Sequence, residues 1–263
     1  MLTYPDIDPV AFAIGPVKVH WYGLMYVFGF VAGWWLARRR AAMPGSTWKP
    51  VDVDDLIFFA AVGVIVGGRL GWMLFYGFDN LRADPLAVIR VWQGGMSFHG
   101  GLIGVMAAIA LFARRRRRHV ADVFDFTAPL PAAGLCAGRI GNFINGELWG
   151  KPTDVPWGVL HKGEVLHPSQ LYEAALEGVV LFAIVWWFTS RPRLRLAPSG
   201  LVLTLYAMFR IAVEFVRMPD ADIGYLAFGW LTMGQVLSLP VLATGLAMLA
   251  FAYTRREPSG NYA

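Results

Sequence analysis

The sequence predicts an all-α integral membrane protein with seven transmembrane helices. Of its 263 residues, 57% are hydrophobic and 16% are charged, and the mean hydropathy of +0.50 lies outside the usual range of soluble domains. A helix needs roughly 17 to 25 residues to cross a hydrocarbon core of about 30 Å. Seven stretches are close to that length: Val17 to Ala37, Leu56 to Phe75, Met96 to Ala113, Val123 to Gly138, Leu171 to Phe188, Gly200 to Val216 and Leu231 to Tyr253.

The fourth stretch is the weakest of the seven. Pro129 and Pro131 interrupt it and remove helical hydrogen bonds, so neighbouring helices or water must supply partners for the freed backbone groups. Cys136 is the single cysteine, which excludes an intramolecular disulfide and a CxxC pair.

The basic residues predict the orientation of the chain in the membrane. They cluster at every second junction between spans, so the clusters share one side, which the positive-inside rule makes cytoplasmic. The N-terminus is then periplasmic and the C-terminus cytoplasmic, with residues 139–170 forming a small periplasmic cap within a single polytopic domain, 1–263. As loops between spans, these clusters indicate no nucleic-acid partner. They are Arg38 to Arg40 with Lys49, Arg114 to Arg118, Arg191 with Arg193 and Arg195, and Arg255 with Arg256.

Charged residues inside the spans are the strongest functional signal. Each costs at least about 2.5 to 3.5 kcal/mol at a helix centre, so each is a functional candidate. In the sixth span, Tyr206, Arg210, Glu214 and Arg217 follow at steps of four, four and three, which places them on one helical face.

Other polar residues are predicted at the same depth. Arg69 lies past the midpoint of the second span, near Gly67 and Gly71, whose spacing indicates close helix packing. His99 begins the third span, where it is a candidate either for a helix-end hydrogen bond or for catalysis. Seven residues are therefore expected in the outer half of the membrane: Arg69, His99, Arg139, Glu147, Arg210, Glu214 and Arg217.

These seven positions hold four arginines and two glutamates. A purely structural network would pair Arg210 with Glu214, and Arg139 or Arg69 with Glu147, yet positive charge would remain. Because guanidinium groups bind phosphate oxygens in a two-point geometry, the expected missing partner is a phospholipid headgroup. Two further acids in the fifth span, Glu173 and Glu177, are expected to pair with a neighbouring helix.

Arginines that hold a lipid phosphate favour cleavage of a bond to it, because they stabilise charge on the departing group. The sequence offers no activated serine motif, no HExxH and no acidic cluster suited to a metal. We therefore expect neither metal nor cofactor, and a nucleophile that comes from a second substrate. His99 or a carboxylate is the candidate base.

Five motifs, "GRIGNFINGELWG", "QGGMSFHGGLIG", "HWYGLMY", "HPSQLYE" and "FRIAVEFVR", together resemble the bacterial prolipoprotein diacylglyceryl transferase family. The resemblance runs from about His20 to Tyr253. It implies transfer of the sn-1,2-diacylglyceryl group of phosphatidylglycerol to the lipobox cysteine of a preprolipoprotein signal peptide, with a thioether formed and glycerol phosphate released. It also implies the bacterial inner membrane, with membrane lipids around the chain and an active site toward the periplasm.

The resemblance also assigns site residues. It implies that Arg139 and Arg210 bind phosphatidylglycerol and that His99 acts as a base or as an orienting group. Further important positions that it implies are Tyr22, Asn142, Glu147, Gly150, Tyr206 and Glu214.

Two other classes of function use the same arginines. A transporter or flippase for an anionic lipid or solute predicts polar residues that continue into the cytoplasmic half, where only Asp122 and Asp125 are found. A lipid-binding scaffold without enzymatic activity requires no base near the arginines. Formation of a lipidated peptide from phosphatidylglycerol separates the enzyme from both.

Overall fold

The computed structural model describes residues 2–15, 17–219 and 222–262. The chain divides into two compact units, of which the first comprises Met1–Ala37 and Asp125–Ser259 and the second comprises Arg38–Phe124 and Gly260–Ala263. Most of the described residues are helical. The helices are α1 (Trp21–Ala41), α2 (Pro50–Phe75), α3 (Phe78–Ala83), α4 (Phe98–Arg115), α5 (Val120–Thr127), α6 (Pro131–Ile144), α7 (Ser169–Glu173), α8 (Leu181–Phe188), α9 (Ala197–Glu214) and α10 (Met233–Arg255), with 3₁₀ turns at Pro85–Ile89 and Val91–Gln93.

Five helices of the described chain are long and apolar enough to cross a membrane. They are α2, α4, α9, α10 and the continuous helix Ser169–Phe188, in which a π-helical segment, Ala174–Val180, joins α7 to α8. Helices α5 and α6 add a sixth span if they count as one, with a bend of 46° between them. Pro129 lies in the break and Pro131 begins α6, so the predicted interruption of the fourth span is confirmed. The protein is therefore a multi-pass membrane protein.

Helix α1 differs from the first predicted span, Val17 to Ala37. Val17–His20 form a strand, and the 21-residue helix begins only at Trp21 and ends on three arginines, Arg38, Arg39 and Arg40. Its tryptophans, tyrosines and glycines make it less apolar than the other long helices. By length and composition, five or six spans are found among the described residues, against the seven predicted.

Glycines allow the closest helix contacts in each unit. In the second unit a Cβ atom on Gly71 would lie 2.8 Å from Gly100 Cα, and one on Gly63 would lie 2.6 Å from Ala108 Cβ, so α2 and α4 meet backbone to backbone. This confirms the packing role predicted for the glycines of the second span. In the first unit, a Cβ on Gly245 would lie 2.6 Å from the backbone nitrogen of Thr204, which brings α9 equally close to α10.

Short strands, which the all-α prediction missed, lie in the first unit. The strands β2 (Val10–Ile14) and β3 (Val17–His20) form a hairpin, while β1 (Leu2–Thr3), β4 (Val159–His161) and β5 (Glu164–Leu166) form a sheet in the order β1-β4-β5. Lys162 and Gly163 both have positive φ and make the two-residue turn between β4 and β5. Strands of two to five residues are too short for the period-two pattern that identifies a strand in sequence.

Candidate active site

A cluster of alternating charges lies in the first unit, between three helical segments. Arg139 comes from α6, Glu173 and Glu177 from the helix Ser169–Phe188, and Arg210 and Glu214 from α9. Arg217, just beyond the end of α9, joins them. Helical spacing of three or four residues turns the members from one helix to the same side.

Arg210 has the central position in this cluster. Its Nη2 lies 2.6 Å from Glu214 Oε1, and its Nη1 donates a hydrogen bond to Glu173 Oε1. The other oxygen of Glu173 lies 3.0 Å from Arg139 Nε. One carboxylate therefore joins the two arginines that the resemblance assigns to phosphate binding. Arg217 completes the cluster, with its Nη1 3.4 Å from Glu214 Oε1.

The three carboxylates are more deeply buried than the three arginines. The exposed fraction is 0% for the side chains of Glu173 and Glu177 and 1% for Glu214, against 19% for Arg139, 13% for Arg210 and 8% for Arg217. The side chains of Arg139 and Arg210 thus remain partly accessible, whereas those of the three acids are buried.

This arrangement corrects the charge count made from the sequence. The ion pairs of the described residues join three arginines to three glutamates, because Glu173 and Glu177 contribute two negative charges. The inference of surplus positive charge is therefore wrong for this cluster. The expected pairing of Glu173 and Glu177 with neighbouring helices is confirmed, as is the pairing of Arg210 with Glu214. The sequence did carry a signal that Glu173 and Glu177 belong to the site, because two acids four residues apart inside a span are costly unless they have a function.

Glu214 is held by the N-terminus of α10, a contact that sequence reasoning missed. Thr232 Oγ1 donates a hydrogen bond of 2.6 Å to Glu214 Oε2, and Thr232 also caps α10, in a capping box with Gln235. A Cβ on Gly234 would lie 2.6 Å from Glu214 Cδ, so the carboxylate rests against the positive end of the helix dipole. The sequence "TMGQ" carries the capping-box pattern that could have identified this site.

The motif "GRIGNFINGELWG" ends α6 and stabilises the loop that follows. Asn142 Nδ2 and Asn145 Nδ2 each donate a 3.3 Å hydrogen bond to the exposed carboxylate of Glu147. Gln170 Nε2 donates to the backbone oxygen of Glu147, and Ser169 Oγ donates to that of Leu148 at 2.8 Å. The two asparagines thus hold Glu147 within the motif, and Ser169 and Gln170 tie the backbone carbonyls of the loop to α7.

Gly150 is enclosed on two sides. Its N–H donates to the carbonyl oxygen of His167 at 2.9 Å, and it forms an antiparallel bridge with Arg217. A Cβ here would lie 2.6 Å from both His167 Cβ and the carbonyl oxygen of Val216. His167 Nδ1 lies 3.1 Å from the hydroxyl of Tyr172, and burial lowers the pKa of its imidazole. Gly150 is thus required where the loop passes the end of α9.

The two predicted tyrosines flank this region of the first unit. The ring of Tyr22 packs against α6, where a Cβ on Gly141 would lie 3.1 Å from Tyr22 Cδ2, and its hydroxyl lies 3.0 Å from that of Tyr26. Tyr206 packs in an apolar group with Leu181 and Val185, one helical turn before Arg210.

Arg69 lies in the second unit, with its guanidinium surrounded by backbone carbonyls. It donates to Ala87 at 2.6 Å, to Val88 at 3.2 Å, and also to Gly94 and Gly95. Arg69 as a whole is only 3% exposed. These bonds fasten the loop between α2 and α4, and they occupy the guanidinium of Arg69, which the sequence placed among the candidates for binding a phospholipid headgroup.

His99, also in the second unit, is the second residue of α4. Ser97 Oγ caps this helix by accepting a hydrogen bond from Gly100 N at 3.2 Å. No group of the described chain hydrogen-bonds the exposed imidazole of His99, which borders an open apolar groove of about 1030 Å³ along the surface of α2 and α4. The imidazole of His99 therefore does not cap α4.

Comparison with known proteins gives near full-length matches. The family model for prolipoprotein diacylglyceryl transferase matches residues 9–251. A phosphatidylglycerol–prolipoprotein diacylglyceryl transferase of Nitratidesulfovibrio vulgaris is 60% identical, over 95% of this chain and 95% of its own length. Proteins of the same name from Chromohalobacter salexigens and Methylococcus capsulatus are 59% and 58% identical, each over 98% of this chain and over 96% and 100% of their own lengths.

Proposed function

Because the chain belongs to the prolipoprotein diacylglyceryl transferase family, we propose that it transfers the sn-1,2-diacylglyceryl group of phosphatidylglycerol to the lipobox cysteine of preprolipoprotein signal peptides. The observation that carries this proposal is that Arg139 and Arg210, from two separate helices, meet on the carboxylate of Glu173. A phosphate entering there would meet two arginines whose side chains are partly exposed. Metal and organic cofactors have no part in the proposed reaction.

The proposed setting is the bacterial inner membrane, with the site toward the periplasm. Basic residues support this orientation, since Arg38 to Arg40 end α1, Arg114 and Arg115 end α4, and Arg255 ends α10. If these ends are cytoplasmic and α1 is added to the six other spans, the N-terminus is periplasmic. The C-terminal end of α9, with Arg210, then lies in the outer half of the membrane. We propose that the chain works as one polytopic domain whose segment 139–170 forms a periplasmic cap.

The proposed step is a displacement at the carbon of the diacylglyceryl group that is bonded to the phosphate oxygen. The cysteine Sγ forms a bond to this carbon while the bond from carbon to phosphate oxygen breaks, and the electron pair leaves with glycerol phosphate. Arg139 and Arg210 donate hydrogen bonds to the phosphate and stabilise the charge on the departing group. His99 takes the thiol proton and returns it to the phosphate monoester or to water.

The remaining predicted residues have supporting parts in this proposal. Glu214 and Arg217 fix the far side of Arg210, and Asn142, Glu147 and Gly150 fix the loop that follows Arg139. Tyr22 and Tyr206 border the lipid, and Arg69 orders the loop that precedes His99.

Incubation of the purified protein with phosphatidylglycerol and a synthetic lipobox peptide tests the proposal. Mass spectrometry should show a peptide heavier by one diacylglyceryl group, and a peptide with serine in place of the cysteine should stay unmodified. Movement of lipid between leaflets of a reconstituted vesicle, with no modified peptide, would favour a flippase instead. Lipid binding with neither product would favour a scaffold.

A further inference from the structure

Glu177 differs from the other two acids of the charge cluster. It lies in the π-helical segment Ala174–Val180, and its side chain is 0% exposed. Neither of its carboxylate oxygens accepts a hydrogen bond from the described residues. The nearest guanidinium nitrogens, Arg139 Nη2 and Arg210 Nη1, are both 3.8 Å away, which is beyond hydrogen-bond distance.

The other acids of the cluster are held more tightly. Glu173 accepts a hydrogen bond from Arg210 and lies 3.0 Å from Arg139, while Glu214 is bound by Thr232 and Arg210 at 2.6 Å each. A buried carboxylate without hydrogen bonds is the one whose charge is most costly to keep. Of the three acids, Glu177 is therefore the one on which a proton is bound most favourably.

A phosphodiester changes the charge of this cluster. Three arginines and three ionised glutamates sum to zero, so a bound phosphate would leave one unpaired negative charge beside carboxylates that are almost completely buried. One proton added to the cluster restores neutrality.

We propose that Glu177 takes up one proton when a phosphodiester binds to Arg139 and Arg210. The proton comes from solvent and forms a carboxyl O–H bond; it is released when glycerol phosphate departs. The inference rests on the proposed function, and it makes Glu177 a positioning residue, since it acts through the arginines. The titratable and charged side chains that face it are Cys136 and Arg139 from α6, Glu173 from its own helix, and Tyr206, Arg210 and Glu214 from α9.

Calorimetry of lipid binding measures this proton directly. The full-length protein in detergent micelles is titrated with phosphatidylglycerol at pH 8, in buffers that differ in ionisation enthalpy. We expect uptake of about one proton by the wild type and by the control E257Q, which changes an exposed glutamate paired with Arg195, and about none by E177Q. The affinity of the wild type should also fall with rising pH, by up to about tenfold per unit, and that of E177Q should not.

The outcomes separate the inference from the function beneath it. Binding by the wild type without proton uptake overturns the inference alone, as does unchanged uptake in E177Q. If E177Q does not fold, the proton count and the pH dependence of the wild type still decide. Failure of the wild type to bind phosphatidylglycerol overturns the proposed function itself.

Discussion

Arg210 is the residue on which the site depends most. Its two terminal nitrogens contact two different carboxylates, Glu173 and Glu214, so the planar group is fixed in orientation before any substrate arrives. Fixed donors need no reorganisation when charge develops on a leaving phosphate. A lysine would keep the charge but offers a single flexible ammonium in place of the fork.

R210K is therefore expected to lower the rate of thioether formation by about 100-fold. The control is R195K, because Arg195 pairs with Glu257 just before α9, roughly 20 Å along the helix from Arg210, and this variant should keep the wild-type rate. Formation of modified peptide over time measures both. A rate for R210K within about threefold of wild type would contradict a two-point hold on the phosphate.

At the scale of elements, the loop after α6 connects α6 to both α7 and the end of α9. It is joined to α7 through Gln170 and Ser169, and to the end of α9 through the bridge between Gly150 and Arg217. These contacts link the segments that carry Arg139, Glu173 and Arg217. Sequence reasoning placed Gly150 in the motif but could not explain it, because its neighbours are distant in the chain.

G150A should destabilise the protein by roughly 1 to 3 kcal/mol, because its Cβ would be forced against backbone atoms. G138A is the matched control in the same motif, since a Cβ at Gly138 meets nothing within 4 Å and alanine favours a helix. The midpoint of thermal unfolding should fall for G150A and stay level or rise for G138A. Equal midpoints for the two variants would show that the enclosure of Gly150 is unimportant.

For the whole molecule, composition and hydropathy predicted the class well, because the cost of burying polar groups in lipid leaves a strong pattern in sequence. The break at Pro129 and the face shared by Arg210 and Glu214 were predictable because each depends only on residues that are close together in the sequence. The count of charges was not, since whether Glu173 and Glu177 belong to the site depends on tertiary packing. The start of helix α1 and the short strands were misjudged because strands of two to five residues are too short to show a period-two pattern.

The most direct test of the account is a structure with a phosphonate analogue of phosphatidylglycerol, in which a methylene replaces the oxygen of the bond that breaks. The account predicts phosphonate oxygens within about 3 Å of guanidinium nitrogens of both Arg139 and Arg210. A headgroup bound elsewhere, with no phosphonate oxygen near either arginine, would contradict it.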